Sequence, residues 1–434
     1  MFRPTGFADL VGKRVGVFGY GVEGRCAAAR LGATSDVVIV DDAEDLAPGV
    51  LTSAHGGLDA LLTCDVVLKS PGIPRRRADI LELEAHGVTV TSALNLWLHD
   101  SDLERVVAIT GTKGKSTTTA LITFFFECLG QRAQSLGNIG RPPYDPTLDT
   151  ESGWLVLEVS SFQALDLDLA PVMVVVTSLG ADHLDWHGSL EQYREDKLSL
   201  TRAAGAHTTL AADTETLREV AAQLGGDLHY VAPDEDHLAL ALGLLGAHND
   251  ANVALALRAV STLAGVDEGA LRLAVLEHSS TFTPLPGRLT AVAEQEVDGG
   301  VLRYVDDGLA TSVLPTVAAL EVFEHDPVAL IAGGFDRGID YGPLAEAVAG
   351  REQKTVLVTM GNAGARVSDE VRSRVPGLEQ HVATTMLEAV DLARGALTGG
   401  GVVLLSPAAP SFDRYHNWEE RSADFVDVVR HTLR

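Results

Sequence analysis

Val106-Val107-Ala108-Ile109-Thr110-Gly111-Thr112-Lys113-Gly114-Lys115-Ser116 is the stretch on which the reading of this chain turns. Four apolar residues, three of them β-branched, predict a strand ending at a glycine loop. A helix-compatible run from Thr117 to Leu129 follows, with Gly130 as its stop. Strand, glycine loop, Lys-Ser and helix make a cradle for phosphates. Lys115 would reach the β- and γ-phosphates of a bound ATP, the Ser116 hydroxyl would ligate Mg²⁺, and the loop amides with the helix dipole would hold the triphosphate. Ile109 stands where the common GxxxxGK[ST] pattern has its first glycine, so the loop is a shorter variant.

Outward from this stretch, short apolar runs alternate with helical lengths. They are Arg14–Phe18, Val37–Val40, Val66–Leu68, Leu155–Val159 and Val172–Thr177, and later Leu302–Val305, Val328–Ala332, Thr355–Thr359 and Val402–Leu405. That alternation predicts an α/β chain whose mostly parallel strands are covered on both faces. Polar residues His99–Glu104, and Pro284, Pro286 and Gly287 within Phe282–Arg288, interrupt regular structure. Three domains are expected: a Rossmann-like one over residues 1–95, a central ATPase-type one carrying the phosphate loop over 96–284, and a Rossmann-like one over 285–434. Asp298-Gly299-Gly300 reads as a hairpin turn.

The 434 residues carry 33 basic and 60 acidic side chains, a formal charge of −27. Such a balance disfavours binding to nucleic acid or an anionic membrane, which needs clustered cations. No apolar run approaches a bilayer span and the N-terminus lacks a signal-peptide pattern, so a cytoplasmic protein is expected. Cys26, Cys64 and Cys128 have neither disulfide nor zinc spacing and read as reduced, buried thiols.

Two further groups carry chemistry. Gly19-Tyr20-Gly21-Val22-Glu23-Gly24 follows a strand and opens a helix, with Asp41 and Asp42 about 20 residues on, the form of a dinucleotide fingerprint. Taken alone, it would suit NAD, FAD or another nucleotide diphosphate. Glu158, in Glu158-Val159-Ser160-Ser161-Phe162-Gln163, and His183 lie at or beyond strand ends, which places them beside the phosphate loop, where a carboxylate and an imidazole suit Mg²⁺ or a substrate carboxylate. Ser189-Leu190-Glu191-Gln192 predicts a capping box, which puts Lys197 on a helix two turns from its start. In isolation, Lys197 is an ordinary solvated lysine.

The set GTKGKST (Gly111–Thr117), LEVSSFQ (Leu157–Gln163), DHLDWHGSLEQYREDK (Asp182–Lys197), GAHNDANVALA (Gly246–Ala256), LPGR (Leu285–Arg288) and LLSPAAPSFDRYHNWEERSADF (Leu404–Phe425) resembles the Mur ligases across all three domains. The resemblance implies ATP-dependent amide-bond formation in peptidoglycan precursor synthesis, by a monomer acting on small molecules. Within the family, the C-terminal signature is most similar to the branch that adds D-glutamate to a UDP-muramoyl-alanine. It implies that Gly21, Val22, Glu23, Asp41, Ser70, Pro71 and Gly72 meet the UDP and Asn138 the muramoyl group. Gly111, Thr112, Lys113, Gly114, Lys115, Ser116, Thr117, Asn249, Asn252, Arg288 and Asp307 would meet ATP. Two Mg²⁺ sites would draw on Ser116, Glu158, His183 and a Lys197 carbamylated by CO2, and Lys115, His183, Lys197 and Arg288 would be catalytic. Thr311, Arg337, Ser411 and Trp418 would surround the glutamate.

This sequence departs from that branch at its amino-acid end. Gly308-Leu309 replaces a Ser-Lys pair, Arg337 a lysine, Trp418 a phenylalanine, and Lys113 an asparagine in the loop. These changes resemble a subgroup that includes L-glutamate-adding enzymes. A folylpolyglutamate-type ligase, a nicotinamide oxidoreductase and a non-catalytic nucleotide switch remain as alternatives.

Overall fold

The computed structural model of the chain describes residues 2–32, 34–43 and 47–433. Its first sheet is parallel throughout and consists of β1 (Arg14–Phe18), β2 (Asp36–Asp41), β3 (Val50–Thr52), β4 (Val66–Lys69) and β5 (Thr89–Thr91), in spatial order β3-β2-β1-β4-β5. Strand order reverses between β1 and β4. The loops after these two strands therefore open side by side, where a parallel sheet takes its ligand.

The second sheet is also parallel: β6 (Val106–Thr110), β7 (Ala133–Gly137), β8 (Trp154–Glu158), β9 (Met173–Val176), β10 (Thr208–Ala212) and β11 (Asp227–Val231), ordered β11-β10-β9-β6-β8-β7. β6 lies between β9 and β8 and all five of its residues are buried, as continuous apolar character predicts for a strand covered on both faces.

The third sheet holds β12 (Thr290–Val297), β13 (Gly300–Asp306), β14 (Val328–Gly333), β15 (Thr355–Met360), β16 (Glu379–Val382) and β17 (Gly401–Leu405), ordered β12-β13-β17-β14-β15-β16. β12 and β13 form the antiparallel hairpin read from Asp298-Gly299-Gly300, and the other pairings are parallel. Val328, Leu330, Val402 and Leu404 bury one face of this sheet, and Ala329, Ile331, Val403 and Leu405 bury the other. Each fully buried Leu, Ile or Val contributes about 1.5–3 kcal/mol.

The chain forms two compact units, one running up to Asp236 and including Asp250–His278, the other joining His237–Asn249 to the segment from Ser279 onward. The first two sheets lie in the first unit and the third sheet in the second. A helix, Ala93–Asp100, runs through the division expected at 95/96, with Ala93 to Leu98 buried, and the chain enters the second sheet only at Val106. Among the described residues, no helix is long and apolar enough to cross a membrane. All three cysteines are unbridged, but only Cys64 is fully buried; Cys26 and Cys128 are partly exposed, a correction to the expectation of buried thiols.

Candidate active site

At its C-terminal end, β6 delivers the chain into Gly111–Gly114, and the 14-residue helix Lys115–Cys128 starts immediately after. Gly111 and Gly114 have φ of +141° and +86°. Only glycine suits these positions. A Cβ on Gly111 would lie 2.1 Å from Thr177 Oγ1, and one on Gly114 would lie 2.4 Å from Asn252 Oδ1. Neighbouring strand ends hold the loop in place: Thr112 N donates to Ser178 O (2.9 Å), Lys113 N to Ser178 Oγ (2.8 Å), and Thr177 Oγ1 to Lys113 O (2.6 Å). The Lys115 ammonium folds back to donate to Gly111 O (2.9 Å) and Thr112 O (3.2 Å). Ser116 is buried in the first helical turn, Thr117 follows it, and Asn252 accepts from Thr118 Oγ1 at 3.2 Å.

The registers Ile109↔Glu158 and Thr110↔Val176 set Glu158 and the segment after β9 beside this loop. Glu158 is 1% exposed. One of its oxygens accepts from Asn138 Nδ2 at 2.7 Å, while the other, Oε2, is buried without a hydrogen-bond partner. A buried carboxylate oxygen left this way is what a divalent cation would satisfy. Lys197, 2% exposed, donates from Nζ to Gly111 O at 2.9 Å, the same carbonyl that Lys115 uses. Burial first, and the Lys115 charge second, push the Lys197 amine well below the usual lysine range. The sequence reading of an ordinary solvated lysine is therefore overturned by packing.

Helix Leu190–Leu198 carries Lys197, and Ser189 Oγ caps it by accepting from Gln192 N. The predicted reciprocal bond is replaced: Gln192 Nε2 turns down the helix to Asp196 Oδ1 (2.9 Å). A complete capping box forms instead at Ser160 and Gln163, directly after Glu158. His183 adopts φ +49°, with its ring 4.9 Å from Phe162 and its side chain 54% exposed beside Asp182. Sequence reasoning missed His187 and Asp196, which are both buried and joined at 2.8 Å. The signal was present in the repeated histidine of Asp182-His183-Leu184-Asp185-Trp186-His187.

In the first sheet, Gly19 has φ +94° and its carbonyl accepts from Ser70 Oγ at 2.7 Å, so the Gly19–Gly21 and Ser70–Gly72 loops are tied together. Gly24 must lack a side chain because a Cβ there would sit 1.9 Å from Gly19 O. Asp41 accepts from Tyr20 N (2.5 Å) and Ala43 N (2.9 Å), which shapes the loop, and Val22 is exposed at the start of the following helix. Glu23 differs from its expected role, since its two oxygens are engaged by Gln163 Nε2 (2.7 Å) and Tyr144 Oη (2.9 Å) of the second sheet's domain.

In the second unit, Asp307, expected at ATP, and the residues expected at the amino acid follow the C-terminal ends of strands. Asp307 and Thr311 follow β13, exposed Arg337 lies in the loop after β14, and buried Ser411 lies in the loop after β17. The buried Arg421 guanidinium clamps two of these loops by donating to Ala409 O (3.0 Å) and Gly308 O (2.9 Å). Trp418 opens the last helix, Trp418–Thr432, and packs on Gly287, the residue before Arg288, where a Cβ would come 2.5 Å from the indole. Asn249 is buried and donates to Leu245 O at 2.8 Å.

Burial pushes the Asp307 carboxyl from 3.8 up to about 7, although the Ser406 Oγ hydrogen bond opposes the rise. The folded state therefore binds this proton more tightly, so the contribution to stability is complete below pH 3.8 and is lost as pH rises toward 7. Asp307→Asn keeps an oxygen for Ser406, and its denaturation midpoint is expected to exceed the parent's at pH 8, with the gap shrinking by pH 5. Urea titrations at the two pH values measure this, and a gap independent of pH would contradict it.

Comparison with known proteins gives the family. The family model described as the Mur ligase middle domain matches residues 109–227. Over 98% of each chain, the sequence is 37% identical to the UDP-N-acetylmuramoyl-L-alanine--L-glutamate ligase of a Micromonospora sp.. It is 32% identical to the UDP-N-acetylmuramoylalanine--D-glutamate ligase of Leuconostoc citreum, covering 98% of this chain and 99% of that one. Among solved structures, the UDP-N-acetylmuramate-alanine ligase MurC of Thermotoga maritima shares the fold at a TM-score of 0.56 and 18% identity, covering 97% of this chain and 100% of that one.

Proposed function

Since the chain belongs to the Mur ligase family, whose members form amide bonds at the expense of ATP in peptidoglycan synthesis, we propose that it adds glutamate to UDP-N-acetylmuramoyl-L-alanine. Buried Glu158, with one oxygen unpartnered beside a glycine cradle and a neutral-leaning Lys197, is the observation that carries this reading. Those residues suit ATP with Mg²⁺: Ser116 and Glu158 would hold a cation, and Lys197, as its carbamate, would hold a second with His183. The cations supply charge neutralisation on the phosphates.

In the mechanism, Gly111–Gly114 and Lys115 cradle and orient the triphosphate. The alanine carboxylate of the muramoyl substrate, brought in from the Ser70–Gly72 side, attacks the γ-phosphorus of ATP; the bond to the β,γ-bridging oxygen breaks, ADP leaves, and the carboxylate becomes an acyl phosphate. Glutamate's amine then attacks the acyl carbon, loses a proton, and expels inorganic phosphate, leaving the amide. Lys115 offsets the charge that grows on the phosphoryl oxygens. Carbamylation of Lys197 requires its free amine, and burial favours that form.

The enantiomer we favour is L-glutamate. Its support is the greater likeness to the L-glutamate-adding relative, together with Gly308-Leu309, Arg337 and Trp418 at the amino-acid end. D-glutamate, the reading from the C-terminal signature, keeps support from the Leuconostoc relative. Phosphate release from ATP with UDP-N-acetylmuramoyl-L-alanine is expected to require glutamate and to run at least about tenfold faster with the L form. Faster release with D-glutamate would reverse the enantiomer, and release indifferent to the muramoyl substrate would overturn the ligase reading.

A further inference from the structure

A buried polar chain outside the phosphate cradle joins four segments of the first unit. Ser161 lies three residues after Glu158, and its Oγ is 3.0 Å from His187 Nε2; His187 Nδ1 is 2.8 Å from Asp196 Oδ2. Asp196 precedes Lys197, and its carboxylate also takes both guanidinium nitrogens of Arg76, at 2.9 and 3.1 Å. Because a carboxylate only accepts, Nδ1 carries the imidazole proton, and Nε2 accepts from the Ser161 hydroxyl. The arrangement has the form of a hydrolytic triad. With Ser161 and His187 only 3% and 5% exposed, no substrate carbonyl can reach the hydroxyl, so the chain serves to position rather than to attack.

Its outer end is the informative one. Arg76 sits four residues beyond Gly72, and Gly72 O itself accepts from the indole of Trp186, the neighbour of His187, at 3.3 Å. Segment 70–77 is thus fastened to the His187 segment and to the Lys197 helix by two separate bonds. The Arg76 bond is the accessible one: its side chain is 54% exposed while Asp196 is 4% exposed. A bidentate Arg–carboxylate pair fixes angle as well as distance. Movement of the Ser70–Gly72 loop must therefore be felt at the helix that carries Lys197.

We infer that Arg76 is a positioning residue which, through Asp196 and His187, couples occupancy of the Ser70–Gly72 loop to the placement of Lys197 against Glu158. This rests on the reading that the loop binds the UDP-muramoyl substrate and that Lys197 acts at the phosphates. The coupling makes ordering of the Lys197 helix a consequence of muramoyl-substrate binding, so that the phosphoryl-transfer site is completed only when its acceptor is present.

Hydrogen exchange on the full-length protein tests it, with UDP-N-acetylmuramoyl-L-alanine as the probe. In the parent, saturating probe is expected to slow exchange about tenfold over residues 19–24 and 70–72, and also over 190–198. In Arg76→Ala the slowing over 190–198 disappears while that over 19–24 and 70–72 persists, and kcat falls with little change in the probe's KM. Arg76→Lys recovers part of both effects. Arg77→Ala removes a nearby cation whose partners are Asp42 and Asp79, and it retains the slowing over 190–198. Slowing over 190–198 that survives in Arg76→Ala, or is missing from the parent despite protection at 70–72, overturns the coupling. Absence of protection at 19–24 and 70–72 in the parent instead overturns the substrate reading on which it stands.

Discussion

Lys197→Ala is expected to lower ligase turnover by about 10²–10³-fold, and Lys197→Arg to be as impaired, although arginine keeps length and charge. The argument runs from burial. At 2% exposure, with Lys115 on the same carbonyl, the Lys197 amine is driven toward its neutral form, the only form that can capture CO2. A guanidinium stays protonated and cannot follow this route. Phosphate release measures turnover, and ¹³C NMR under ¹³CO2 reports a carbamate in the parent that both variants lack. An active Lys197→Arg enzyme would remove carbamylation from the mechanism.

Glu158→Gln should separate function from stability. Glu158 Oε1 is satisfied by Asn138, while Oε2 is buried with no partner, a desolvation cost borne by the folded protein. Replacing the acid by its amide removes the negative charge from that position. Turnover is then expected to fall by about 10²–10³-fold, with the Mg²⁺ requirement shifted upward. Without nucleotide, the same variant is expected to be more stable by about 1–3 kcal/mol. Denaturant unfolding beside a Mg²⁺ titration of turnover checks both. Equal turnover with an unchanged Mg²⁺ requirement would show that Glu158 does not serve the cation.

Most of the strands that the sequence revealed are covered on both faces; partly exposed β2 and β13 were legible too, from their aliphatic runs, whereas buried β10 (Thr-Thr-Leu-Ala-Ala) was not, because its residues are small or polar. β1, β4, β6, β8, β9, β14, β15 and β17 are dominated by apolar residues, and the phosphate loop was read from the glycines that its backbone demands. Edge strands such as β3 (Val-Leu-Thr), β5 (Thr-Val-Thr) and β16 (Glu-Gln-His-Val) carry too few residues, or too mixed a set, to stand out. Their strand character comes from a neighbour's hydrogen bonds, which local composition does not encode. Lys197 was legible as a helical residue, but its burial was not: Tyr193, one turn back on the same helix, covers one side of the ammonium, while Gly111, which receives it, lies 86 residues away. Glu23 shows the converse. Its place in the fingerprint suggested a ligand contact, while Gln163 and Tyr144, more than a hundred residues away, claim both of its oxygens.

The hairpin that begins the third sheet has a consequence for behaviour at high concentration. β12 is an edge strand eight residues long, with a register shift between Ala291 and Ala293 and with Glu294 and Glu296 exposed along it. A long, flat, uncharged edge would offer its free amides and carbonyls as a template for another chain. Here the bulge breaks the repeat and the two carboxylates repel a like-charged copy, so this face resists strand-to-strand aggregation.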